Sequence, residues 1–159
     1  MIKKLILWIL VISCMGTIFF FSSQEAKDSD KSSLGFVTVI LNFFNVYEAF
    51  SETEIEELSH SLNGIVRTGA HFTIYAFLGL LLCMLFNEYN FKGSRAIIYA
   101  VISSFIYACS DEFHQSFVPG RSAQLSDIIV DTSGALCGAV FAFVILLAIR
   151  NIKAKKSHG

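Results

Sequence analysis

The stretch TGAHFTIYAFLGLLLCMLF, Thr68–Phe86, decides the fold: it carries 19 residues without an acid, lysine or arginine, and its one histidine stands at its start. A hydrocarbon layer of roughly 30 Å takes about 20 apolar residues of helix to cross, so this segment predicts a membrane span. Three further segments of similar character lie at 5–21, 96–112 and 127–149, the second of them ending in a polar continuation. The 159 residues are 54% hydrophobic with 16 Phe and have a mean hydropathy of +0.61, which is too apolar for an ordinary water-facing domain. The expected architecture is therefore one all-α membrane domain over 1–159, a bundle of about four transmembrane helices.

Charge placement orients the bundle. Eight of the 12 basic residues flank what would be one side: Lys3, Lys4, Lys92, Arg95, Arg150, Lys153, Lys155 and Lys156. The positive-inside rule puts that side, both termini and the basic tail 150–159 in the cytoplasm. The segment 24–66 then faces outward and is acidic, with Glu25, Asp28, Asp30, Glu48, Glu52, Glu54, Glu56 and Glu57 against Lys27 and Lys31. An anion would meet favourable potential only locally, around Arg67 or Arg121. Nucleic acid is not an expected partner; membrane lipid is.

Within the outer segment, Phe36, Ile40, Phe44 and Tyr47 recur at helical spacing beside Val37 and Leu41, as in a helix lying at the membrane interface. Ser51 and Glu54 form a capping-box pair, and Ile55, Leu58, Leu62 and Ile65 make an apolar stripe for a second short helix. Asn63-Gly64 is expected to break that helix before the second span begins. Asn87–Ser94 is a short turn carrying Gly93, Val118-Pro119-Gly120-Arg121 is a turn signal, and Ser126 is the expected N-cap of the last helix. Gly134 and Gly138 permit close helix packing.

Cys14, Cys83, Cys109 and Cys137 have no CxxC spacing and fall within or at the edges of spans, so they read as small apolar residues. Val11-Ile12-Ser13-Cys14 loosely matches a lipoprotein cleavage box, but the apolar run continues to Phe21, and a retained first helix is expected.

The polar residues that could carry chemistry collect at one depth. Arg67, His71 and Tyr75 are spaced i, i+4, i+8 on the second span. Ser110, Asp111, Glu112, His114 and Gln115 end the third, with Asp111, His114 and Gln115 expected on one face and Glu112 on another. Arg121 follows, Asp127 and Asp131 open the fourth span one turn apart, and Ser22-Ser23-Gln24 closes the first as an accessory set. Ionisable groups are costly at membrane depth and usually face a protein interior or wet cavity. Pairing of Arg67 with Asp127 or Asp131 could serve only to fix the bundle; the gathering of the whole set favours a functional site.

Three chemistries fit that set. His71 and His114 with Asp111 and Glu112, joined by Asp127 and Asp131, make an adequate N/O set for a divalent metal, although no HExxH spacing supports it and no cofactor is otherwise expected. A histidine beside carboxylates also suits acid–base work. Arg121 next to the free amides that open the last helix suits a phosphate or carboxylate, with Asp127 opposing a strong anion there. Transport would require an oligomer, since four short helices are few for an alternating-access path.

At these residues the chain resembles the VanZ-like family of small bacterial membrane proteins. The resemblance rests on Phe21-Ser22-Ser23-Gln24, on Arg67-x-x-x-His71-Phe72-x-x-Tyr75-x-x-Leu78-Gly79, and above all on Tyr107-Ala108-x-Ser110-Asp111-Glu112-x-His114-Gln115-x-Phe117-Val118-Pro119-Gly120-Arg121. It continues through Asp127-x-x-x-Asp131-x-x-Gly134-x-x-x-Gly138. The resemblance implies a cell-envelope protein of the bacterial cytoplasmic membrane and, by the family's name, an effect on susceptibility to teicoplanin, a glycopeptide carrying a lipid tail. The ligands this suggests are a lipid-linked cell-wall precursor, another anionic envelope component or the lipidated glycopeptide itself. The alternative is an intramembrane enzyme acting on a lipid-linked substrate.

Overall fold

The computed structural model describes residues 1–46 and 50–157. They form five helices: α1 (Ile2–Ser22), α2 (Ala26–Phe43), α3 (Glu52–Glu88), α4 (Ser94–Gln115) and α5 (Leu125–Ser157). No strand occurs among the described residues. Four helices, α1, α3, α4 and α5, are long and apolar enough to cross a membrane, which is the expected all-α bundle. Their outward side chains include Leu5, Ile9, Ile98, Ile102, Ile106, Phe141 and Val144, all exposed. Such a surface is a liability in water and the natural one in lipid.

The expected break at Asn63-Gly64 does not occur, for α3 runs without interruption through 37 residues. Asn and Gly cost a helix under about 1 kcal/mol each relative to Ala, whereas proline would cost about 3. The Ser51/Glu54 capping box forms at its start, and Ser51 N–H donates to Glu54 Oε2 over 2.9 Å. At a rise of 1.5 Å per residue α3 is about 55 Å long, so its first turns project beyond a layer of roughly 30 Å. α2 packs on α3 through buried Val37 and Leu41 and leaves Phe36 and Phe43 exposed. Tyr47, the last residue of the expected interfacial stripe, lies outside the described residues, as do 158–159 of the basic tail.

The α3–α5 pair is the tightest contact. A Cβ at Gly134 would strike the Phe72 carbonyl, one at Gly138 the Ala76 carbonyl, and one at Gly79 the backbone of Ala135. These bare positions let two backbones touch, the usual device where lipid supplies no hydrophobic drive between helices. α4 lies against both, and the core between them is filled by Leu78, Leu81 and Leu85 against Ala96, Ala100, Ala139 and Ala142. α1 is an outer helix, tied by Tyr107 O–H donating to the Met15 carbonyl over 2.7 Å.

The two ends differ. At one, the Lys4 ammonium sits 4.2 Å from the centre of the Tyr89 ring, Trp8 Nε1–H donates to Tyr89 Oη over 3.2 Å, and Arg150 donates to Asn87. The other holds the end of α1, the end of α4, the start of α5 and the middle of α3.

Candidate functional site

Along α3, Gly64, Arg67, Thr68 and His71 fall at offsets of 0, 3, 4 and 7 residues, one face of a helix. On α5, Asp127, Val130 and Asp131 do the same. The close glycine packing just below holds these faces opposite each other around a cavity of about 200 Å³, completed by Gln124. Gly64 contributes space, Arg67 charge, and His71 with Asp131 the floor.

Asp131 is fully buried. Its Oδ1 lies 3.5 Å from His71 Nδ1, a charge contact whose geometry is not that of a hydrogen bond. Both Asp131 oxygens and His71 Nδ1 are without hydrogen-bond partners. A buried carboxylate in that state is costly to the fold.

α4 delivers a second layer. Asp111, Glu112 and Gln115 are all buried. Gln115 Nε2 donates to Asp111 Oδ2 over 3.2 Å, and Arg121 Nη1 donates to Gln115 Oε1 over 3.2 Å. Arg121 Nη2 also reaches the Phe21 carbonyl at 3.4 Å, so one guanidinium ties the loop to α4 and α1. Burial draws the Arg121 pKa below its ordinary value, and the nearby Arg67 acts in the same direction. The loop is set by a turn: Arg121 N–H donates to the Val118 carbonyl over 3.1 Å, and Gly120 has φ +77°. Proline at the second position and a positive-φ glycine at the third are the type II pattern.

Glu112 departs from the expected placement. It points to the same interior as Asp111, because the loop before α5 folds over the end of α4 and offers it a donor: Gln124 N–H meets Glu112 Oε2 at 2.9 Å. The α5 helix opens at Leu125, not after a Ser126 cap. Glu112 therefore stands where an external anion was expected, and a carboxylate there is favoured by the helix dipole.

Asp111, Asp127 and Asp131 lie within electrostatic reach of His71, and Asp111, Glu112 and Asp131 within reach of Tyr75. The buried Tyr75 hydroxyl has no partner. Other residues of the expected set go elsewhere. The His114 ring packs on Phe19 at a tilt of 41° with centroids 4.6 Å apart, and its Nδ1 is buried without a partner. Ser110 is exposed, and Ser23 Oγ–H turns back to the Phe19 carbonyl at 2.6 Å. Ser22 is buried with its hydroxyl unpartnered, and Gln24 N–H donates to the Phe21 carbonyl over 3.3 Å.

Arg67 contacts Asp30 of α2 at 3.9 Å, in place of the Asp127 or Asp131 pairing read from the sequence. Among the described residues no group of three or more His, Cys, Asp or Glu side chains is disposed to hold a metal ion.

Sequence reasoning missed Gly64, Thr68, Gln124 and Val130 as cavity walls. Gly64 and Thr68 share the helical spacing of Arg67 and His71, a signal that the turn-favouring Asn63-Gly64 pair masks. Chemically the site offers acceptors: Asp111 Oδ1, Glu112 Oε1 and both Asp131 oxygens are buried and unpartnered.

A family model described as VanZ/LLP1 matches residues 7–147. No curated protein and no solved structure matches the chain.

Proposed function

Because the chain belongs to the VanZ/LLP1 family, a multi-pass membrane protein with four apolar spans, we propose that it binds a lipid-linked component of the bacterial envelope in the His71–Asp131 cavity. Both termini are cytoplasmic in this reading, and the cavity opens outward beside α2, whose Asp30 meets Arg67. Binding there alters the access of a teicoplanin-type glycopeptide to its target, either through the bound component or through the lipid tail of the drug. The observation that carries the proposal is Asp131, held fully buried at a cavity wall with neither oxygen satisfied. A purely structural carboxylate would have been given partners.

The test is the teicoplanin susceptibility of cells carrying Asp131→Asn, His71→Ala or Arg67→Ala at equal membrane abundance. Each variant is expected to lose most of whatever shift the wild type confers. Wild-type behaviour in all three rejects this site.

An enzyme acting on a lipid-linked substrate is the second reading. It is favoured by the 3.5 Å approach of His71 to Asp131, since a histidine held by a carboxylate can accept and return a proton. Turnover of a polyprenyl or glycerolipid phosphate that vanishes in His71→Ala would favour the enzyme. Binding without turnover favours the first reading.

A further inference from the structure

The basic end of the bundle, opposite the cavity, has a charge pattern of its own. Eight of the 12 basic residues flank it, and among the described residues Glu88 is its one acid. The close charge contacts of the described residues, Arg67 with Asp30 and His71 with Asp131, lie at the other end. The lysines and arginines here are thus not neutralised by neighbouring carboxylates, and their summed field favours an anion.

Within that field one place is built from fixed side chains. Lys3 is exposed, whereas Lys4 is half-buried, with its ammonium 4.2 Å from the centre of the Tyr89 ring, a cation–π contact. Tyr89 Oη accepts from Trp8 Nε1 over 3.2 Å. Lys4 and Trp8 stand one turn apart on α1, and Tyr89 is the C-cap of α3, so the trio closes the seam between the two helices. Among the described residues no oxygen accepts from the Lys4 ammonium or from the Tyr89 O–H, which leaves both able to donate to one ligand.

Inward from these donors α1 offers an apolar wall. Trp8 and Ile12 follow Lys4 at i+4 and i+8, and both are exposed. Ile12 lies about 12 Å from Lys4 along the axis, within the ~15 Å depth of one leaflet. Donors at the boundary with an apolar stripe running inward match the polarity of one phospholipid molecule. A head group that also carries an ammonium would bring that charge against the excess of lysine and arginine; one whose remaining groups are hydroxyls would not.

We infer that the Lys4–Trp8–Tyr89 seam binds an anionic glycerophospholipid, its phosphate accepting from Lys4 and Tyr89 and an acyl chain lying along Trp8 and Ile12. In the proposed orientation this lipid belongs to the cytoplasmic leaflet, and it clasps α1, the outer helix, to α3. This second site is independent of the His71–Asp131 cavity.

The test uses the full-length protein exchanged into phosphatidylcholine vesicles doped with phosphatidylglycerol or phosphatidylethanolamine of matched chains, with bound lipid counted by native mass spectrometry. Phosphatidylglycerol is expected to be retained about tenfold over the other two, the scale of one hydrogen bond to a charged group. Lys4→Gln is expected to level that preference. Tyr89→Phe, which keeps the ring beside Lys4, is expected to reduce it about threefold. Lys3→Gln removes the same charge one residue away and is expected to leave the wild-type preference. Equal retention of the three lipids by the wild type overturns the site, and an equal fall in Lys3→Gln and Lys4→Gln overturns it in favour of diffuse surface charge. Soluble glycerol phosphate at the concentration of the doped lipid is expected not to displace phosphatidylglycerol; displacement would make this a site for free phosphate and overturn the part given to the chain.

Discussion

Gly138→Ala tests the contact on which the site is built. The added methyl would fall on the Ala76 carbonyl, backbone against backbone, with no rotamer to relieve it. Overpacking of this kind costs about 1–3 kcal/mol, while replacing glycine by alanine within a helix returns about 1 kcal/mol. The expected net change is a loss of up to about 2 kcal/mol, obtained by difference. Gly16→Ala in α1 is the control, since its Cβ has nothing within 4 Å; there only the propensity gain remains, about 1 kcal/mol. Unfolding by SDS titration in mixed micelles should therefore separate the two variants by about 1–3 kcal/mol. Because Gly134 faces Phe72, next to His71, loosening this contact should also lower function at the cavity. Equal stability of the two variants would refute the backbone contact and, with it, the account of how α3 presents His71 to Asp131.

Other substitutions follow from the same geometry. Asp131→Asn should raise stability by about 1 kcal/mol, because it removes a buried carboxylate that accepts no hydrogen bond and gives up only a 3.5 Å charge contact with His71, and should lower function at the same time; SDS unfolding and teicoplanin susceptibility measured together check this. Tyr107→Phe removes the hydrogen bond to Met15 and should cost about 1 kcal/mol, seen as faster proteolysis at the α1–α2 junction. Arg121→Lys keeps the charge but not the fork that spans Gln115 and Phe21, and should give the same proteolytic signature more strongly than Tyr107→Phe does.

The spans were legible because lipid imposes length and apolarity together, and Thr68–Phe86 satisfies both without help from tertiary structure. Arg67, His71 and Tyr75 were legible as one face because a helix repeats every 3.6 residues. What could not be read depends on contacts between distant segments. Asp30 partners Arg67 from another helix, and nothing local to either residue announces it. Helical geometry alone places Glu112 on another face, but at a helix end the neighbouring loop decides, and Gln124 N–H captures it. Asn63 and Gly64 both favour turns and so signal a break; in α3 the cost is modest and the bare Gly64 opens space at the cavity instead. Gly134 and Gly138 gave only a common pattern in sequence, whereas the facing Phe72 and Ala76 carbonyls give them a partner.

In the proposed orientation the cavity opens on the outer face of the membrane, opposite the basic end. In a background with Cys14, Cys83, Cys109 and Cys137 replaced, Gln124→Cys at the cavity wall and Asn151→Cys on the exposed end of α5 report on the two faces. A membrane-impermeant maleimide applied to intact cells should label Gln124→Cys and reach Asn151→Cys only after the membrane is opened. Labelling of Asn151→Cys alone, or of both positions alike before the membrane is opened, would contradict the orientation and the outward site together.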